Sequence, residues 1–258
     1  MSVRLGTVEG MCGRYVSVKS DGDVLSDFDA VDATGDDEYA ADWNIAPTKP
    51  VRTIVNRALR DAEGTAAPTP TRQLRVMSWG LVPSWAKDRK TQGRMFNARV
   101  ESVADKPAFR TAYAKRRCLV PADGWYEWQL VDGPDGPMKQ PMFMVAPDGH
   151  SIAFAGLYEF WRHGDDPTLS TCTIITTPSQ GALSQIHDRM PLVLPRDAWT
   201  RWLDPAVTDP SDLLRPWDEA EGEHLELRPV ATTVNSVDNN GPDLVQPVEP
   251  VPEAQTLF

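Results

Sequence analysis

Four short stretches of the chain set a reactive polar side chain among aromatic or apolar neighbours. They are "MCGRY" (11–15), "FNARVES" (96–102), "DGWYEW" (123–128) and "IHDRMP" (186–191). Their Cys12, Asn97, Glu127 and His187 supply a thiol, an amide, a carboxyl and an imidazole, groups from which nucleophilic and acid–base catalysis are assembled. Each has a plainer reading. A free cysteine is most often a small buried hydrophobe, an asparagine often caps a turn, and a lone histidine usually hydrogen-bonds a loop. Strand alternation across "WYEW" sets Trp125 and Glu127 on one face and Tyr126 and Trp128 on the other. A carboxyl among tryptophans would be desolvated and its pKa raised towards the range useful for proton transfer; on an edge strand it would simply be exposed. Cys118 and Cys172 lie inside apolar strand-like runs and read as core, and His150, His163 and His224 lie in polar, loop-like contexts.

Cys12 follows a methionine, and this opens two chemistries. With Met1 as the start, its nitrogen is an unreactive amide. With Met11 as the start, or with residues 1–11 removed as a leader, Cys12 carries a free amine beside its thiol. Such an amine has a pKa near ~7.7 and the thiol one near ~8.5, so both are usable near neutral pH.

Composition narrows the classes. The 258-residue chain is 41% hydrophobic, enough for a substantial core. It has no apolar run of membrane-span length and no secretory pattern, so a cytoplasmic protein is expected. Three cysteines do not make a disulfide framework. No CxxC, HExxH or EF-hand spacing occurs, so neither metal nor cofactor is expected. The net charge of −11 is unevenly spread. Residues 20–42 hold nine acids and no Lys or Arg, and residues 204–258 carry a balance of −10. Residues 71–128 carry +7. A polyanion would be steered by that central patch and not by the total. Asp outnumbers Glu and Arg outnumbers Lys, as in salt-adapted proteins.

The elements that must position these groups are mostly short strands. Candidates are "VRTIVN", "LRVMSWGLV", "RCLVPA", "SIAFAGLY" and "TCTIITT", and a long hairpin is expected about "VDGPDGPMKQP" (131–141). Residues 20–38 read as an acidic loop or a weak helix start, and 57–71 as a surface connection. Helices are expected over 105–116 and 195–203. Pro and acid dominate after about 242, with a disordered tail at 249–258. No internal repeat is visible. Without βαβ alternation, the pattern points to one α+β domain, a largely antiparallel sheet or distorted β-barrel with a few flanking helices.

In combination the motifs resemble the SRAP family, the SOS response-associated peptidases or abasic-site processing proteins. The resemblance rests on "MCGRY", "WNIAP" (43–47), "WGLVPSW" (79–85), "NARVES" (97–102), "RRCLVPADGWYEW" (116–128), "FAGLY" (154–158), "IHDRMPLVL" (186–194) and "NSVDNNGPDLVQPV" (235–248). It makes 12–248 the family domain and implies covalent capture of abasic sites in single-stranded DNA by a monomer. Cys12 would react as the N-terminal residue, first as a Schiff base and then as a thiazolidine. Asn97 would hold the Cys12 nitrogen or the sugar, Glu127 would shuttle protons, and His187 would act as acid/base during ring opening and reversal. Arg14, Asn44, Arg99 and Arg189 would contact phosphate or base edges, and Trp79, Gly80 and Trp85 would form a stacking, strand-separating surface. Residues 1–11 depart from the pattern, and a mature protein beginning at Cys12 is expected. Two other readings stay open: a cysteine peptidase using Cys12 with His187 as base, acting on its own leader, and a noncovalent single-strand binding module.

Overall fold

The computed structural model describes residues 12–250, apart from 36, 38, 61–62, 134–135, 165 and 216–224. Residues 1–11 and 251–258, and with them the leader, the start at Met11 and most of the expected tail, lie outside the described residues.

Thirteen strands are present among the described residues: β1 (Tyr15–Ser17), β2 (Val31–Asp32), β3 (Asp42–Ile45), β4 (Pro50–Arg60), β5 (Ala66–Trp79), β6 (Asn97–Arg99), β7 (Arg117–Ala122), β8 (Gly124–Gly133), β9 (Gly136–Val145), β10 (Ile152–Trp161), β11 (Leu169–Pro178), β12 (Arg189–Pro191) and β13 (Glu226–Pro229). The helices are short: α1 (Asp21–Phe28), α2 (Arg110–Lys115) and α3 (Trp199–Leu203). One sheet runs β13-β9-β8-β1-β3 and is antiparallel throughout. The other runs β12-β11-β10-β7-β4-β5-β2, and a parallel pairing of β11 with β5 curls it into a ring-like but not closed barrel. The α+β expectation therefore holds in its barrel form, with mixed rather than purely antiparallel pairing.

Sequence pattern explains the central strands. β10 is apolar but for Glu159 and is buried on both faces, as a strand covered from two sides must be. β8 alternates: Trp125 joins the main core with Tyr15, Trp79 and Phe154, whereas Tyr126 packs with Val16, Phe143 and Val230 in a separate cluster. Tyr15 meets Trp79 and Phe154 edge-on at 5.3 and 5.9 Å, a favoured aromatic geometry. Cys118 and Cys172 are fully buried in this core.

Several local expectations are resolved or corrected. Of the two readings of the acidic stretch after residue 20, the helix start is the one realised, because Ser20 and Asp23 make a reciprocal capping box and acids favour a helix N-terminus. Residues 57–71 are not a simple connection. They carry the β4–β5 hairpin outward, with Ala58 paired to Pro70, a use of proline that extended strands tolerate away from required N–H groups. The helix expected from 105 begins only at Arg110, after turns that include Pro107. Order also persists beyond 242: Leu244 is buried, and Val248 N donates to Pro229 O at 2.9 Å.

Arg117 fastens α3 and the following loop to β7. Its guanidinium, itself buried, donates to the carbonyls of Tyr113, Ala114, Trp202, Asp204 and Val207. Desolvation lowers its pKa from the ordinary arginine value. Arg117→Met would leave several buried carbonyls unsatisfied, at a cost of roughly 2–4 kcal/mol. Thermal unfolding should show a melting temperature lower by on the order of 10 °C; an unchanged melting temperature would refute the fastening role.

Candidate active site

The site is built where the two sheets meet. Antiparallel pairing of β1 with β8 sets Tyr15 opposite Trp125, and Tyr126 N donates to Arg14 O at 3.0 Å. Continuing that register back from β1 sets Gly13 opposite Glu127, with Cys12 one residue further along. β11 supplies the other members, because it holds β6 in parallel through Ile174–Asn97 and β12 in antiparallel through Thr177–Met190. His187 sits in the turn just before β12, its main-chain N donating to Leu183 O at 3.1 Å. Thus residues 12, 97, 127 and 187 converge from four separate elements.

The contacts are specific. Asn97 Nδ2 donates to Cys12 O at 2.7 Å, and the Cys12 thiol donates to Arg189 O at 3.4 Å. The Cys12 thiol, a Glu127 carboxyl oxygen and a His187 ring nitrogen lie within 4.8 Å of one another. His187 Nδ1 is 3.9 Å from Glu127 Oε2, 3.0 Å from Arg189 O and 3.1 Å from Arg189 N. The ring is thus steered in either tautomer, donating to the carbonyl or accepting from the amide. Two buried acceptors, Asn97 Oδ1 and Glu127 Oε1, have no hydrogen-bond partner.

Glu127 is only 4% exposed. The exposed edge-strand alternative fails because β8 lies between β9 and β1. Burial pushes its carboxyl up to about 8, with the Cys12 hydrogen bond opposing and the nearby Asp188 charge adding to the rise. Burial likewise raises the Cys12 thiol well above its ordinary value, and the Glu127 charge raises it further. At neutral pH the pair is therefore mainly protonated, a thiol and a carboxylic acid in contact.

The expected DNA-facing residues divide. Trp85 is 66% exposed in a loop that also exposes Lys87, Arg89, Lys90 and Arg94, and Arg99 is exposed beyond Asn97. Trp79 is instead a core residue, 1% exposed, with its indole N–H donating to Phe96 O at 2.8 Å. A stacking role is corrected for it, since a base cannot reach its face. Gly80 is buried at φ +133°, where a Cβ would collide with the Gln92 carbonyl, so close backbone packing requires the glycine. Asn44 is fully buried, its amide nitrogen spent on the carbonyls of Val234, Ser236 and Asn239. Arg14 donates to Asn44 Oδ1, Val234 O and Asn235 O. These two residues pin the closing segment to β1 and β3 and have few donors left for DNA. Arg189 is 9% exposed and grips Glu101 through both terminal nitrogens while also bonding Thr176 O. The Arg189 bond holds the Glu101 carboxyl below its ordinary value. Sequence reading missed Glu101, although it lies inside "NARVES", because nothing local marks a partner 88 residues away.

Comparison with known proteins fixes the family. The model of SRAP, "SOS response associated peptidase", matches residues 11–237. The chain belongs to the SRAP family. Among its SRAP relatives, abasic site processing protein YoqW of Bacillus subtilis is 37% identical over 92% of this chain and 99% of its own. Abasic site processing protein HMCES of Gallus gallus is 32% identical over 82% of this chain and 67% of its own. A crystal structure from Bacteroides thetaiotaomicron shares the SRAP fold, with a TM-score of 0.76 at 21% identity over 92% of this chain and 100% of its own.

Burial of Glu127 has a measurable consequence for this SRAP chain. Its folded pKa of about 8 exceeds the unfolded value near 4.5, so the folded state holds the extra proton between them. Stability should therefore fall as pH rises from about 4.5 to 8. Glu127→Gln in the 258-residue chain should remove that slope and be more stable by up to a few kcal/mol at pH 8.5, with little difference at pH 4.5. Thermal or denaturant unfolding across that range checks it; parallel profiles for the two proteins would contradict the buried, protonated carboxyl.

Proposed function

We propose that the protein processes abasic sites in single-stranded DNA by capturing the ring-opened sugar on Cys12 as a thiazolidine. The observation that carries this reading is the convergence of Cys12, Asn97, Glu127 and His187 in one buried site, in a chain whose curated relatives are named abasic site processing proteins.

The chemistry requires Cys12 as the first residue, since an amide nitrogen is not nucleophilic. Its amine adds to the sugar aldehyde, and loss of one water gives a Schiff base. The thiol then adds across the C=N bond: sulfur bonds to carbon, and the thiol proton passes to nitrogen. Attack within one residue has a very high effective concentration. Glu127, protonated at neutral pH, gives its proton to the departing hydroxyl, recovers one from the nitrogen as the Schiff base forms, and relays the thiol proton to that nitrogen in ring closure. His187 serves the sugar oxygen as the ring opens and when the adduct reverses. Asn97 fixes the Cys12 carbonyl and keeps its own Oδ1 free to accept from the amine.

DNA would approach across the exposed Trp85 loop and Arg99, where a cation-rich surface meets an aromatic ring suited to an unstacked base. Arg189 and Arg14 act from behind as positioning groups, Arg189 by offering the carbonyl that holds the thiol and steers the imidazole.

Purified protein mixed with an abasic oligonucleotide should yield a denaturation-resistant adduct. Its mass should equal the chain from Cys12 plus the oligonucleotide, less one water. Cys12→Ala should give none, and Glu127→Ala should slow formation by roughly 10²-fold, the scale of a lost general acid–base. His187→Ala should impair reversal more than formation. An adduct formed by Cys12→Ala, or by a chain with a blocked amine, would refute the assignment. Trp85→Ala should weaken binding of intact single strands by about fivefold or more, one stacking contact's worth. Unaltered binding would move the DNA surface elsewhere.

A further inference from the structure

Cys12, Glu127 and His187 offer one sulfur, one oxygen and one nitrogen ligand within 4.8 Å of one another. We propose that these three side chains form a zinc-binding site, and that a bound Zn2+ holds the protein in a state unable to capture DNA. The site itself is independent of the proposed reaction; only its blocking effect rests on that reading.

The donor set selects the ion. Thiolate, imidazole and carboxylate together are the ligands of Zn2+, whereas Mg2+ and Ca2+ demand oxygen alone. Ligands on one tetrahedral zinc at 2.0–2.3 Å stand roughly 3.3–3.6 Å apart, so modest side-chain rotation brings the three onto one ion. Spacing rules do not reveal such a site, because its members are distant in sequence and meet only in the fold.

Two further observations point to a ligand. Glu127 is more than nine-tenths buried, and its Oε1 has no hydrogen-bond partner. His187 Nδ1 lies 3.0 Å from Arg189 O, an outer hydrogen bond that orients the ring and leaves Nε2 as the nitrogen to ligate. Charge balance agrees. One divalent cation, one thiolate and one carboxylate sum to zero, which suits a buried place where a single uncompensated charge would be costly. Nearby Arg189 does not upset this, being paired to Glu101. Binding displaces two protons to solvent, one from the Cys12 thiol and one from the Glu127 carboxyl. Three protein ligands leave a fourth position for water or for the Cys12 amine, and a thiolate that shares its charge with zinc is a weaker nucleophile towards the sugar.

The test is a titration of EDTA-treated protein with Co2+, a spectroscopic stand-in for Zn2+. One equivalent should give tetrahedral d–d bands with a thiolate-to-cobalt charge-transfer band, and Zn2+ should displace it. Cys12→Ser should abolish the charge-transfer band, and Glu127→Gln or His187→Ala should weaken affinity on the order of a hundredfold, the scale of a lost ligand or its support. Near-ultraviolet circular dichroism of the buried tryptophans confirms that each variant folds. Absence of the band, or its persistence in folded Cys12→Ser, would overturn the site. Saturating Zn2+ should lower the yield of adduct with an abasic oligonucleotide about tenfold or more, and a chelator should restore it. Undiminished yield at full occupancy would overturn the blocked state. Failure to form any adduct even with chelator would overturn the capture chemistry, while the cobalt spectrum would still support the site.

Discussion

Desolvation of Glu127 is the constraint on which the site depends. A carboxyl on the surface would be ionised at neutral pH and useful only as a base. Here β8 is covered by β9 on one side and β1 on the other, with Trp125 on the same face, and water is excluded. The proton stays on, and the Cys12 thiol beside it is raised for the same reason. The fold accepts an energetic cost here so that carboxyl, thiol and imidazole lie close together.

That cost is offset by polar groups satisfied elsewhere, and arginine provides much of it. Arg117 gathers five carbonyls from α2, α3 and the loop after α3, Arg14 ties the closing segment to Asn44, and Arg189 clamps Glu101 behind the thiol. A planar guanidinium with five fixed donors can satisfy several acceptors at once, which a lysine cannot. The same property makes arginine a good phosphate ligand. Residue type alone therefore cannot tell an internal clamp from a DNA contact. Arg14, Arg189 and Asn44 are clamps by geometry, whereas Arg99 and the Trp85 loop face outward.

The aromatic residues divide on the same principle. Trp79 and Trp85 belong to one short motif, "WGLVPSW", yet one closes the core against Phe96 and the other is two-thirds exposed. Strand β5 ends at Trp79, and Gly80 turns the chain so tightly against Gln92 that the following residues leave the sheet. A backbone reversal decides which tryptophan meets solvent. Nothing in the motif's composition encodes that choice.

The sequence by itself determined the strand-rich fold class, the family through its ordered motifs and the burial of Cys118 and Cys172, and it singled out four polar residues by type. These follow from local properties: apolar periodicity, turn chemistry and residue type survive in any short window. Only the tertiary structure decided that Cys12, Asn97, Glu127 and His187 share one site, that Glu101 underlies it, and that four of the seven expected DNA contacts are interior. Those facts depend on pairings such as β1 with β8 and β11 with β6 and β12, between segments up to about a hundred residues apart. Register and burial at such separations arise from the whole core packing at once, and no window of sequence contains them.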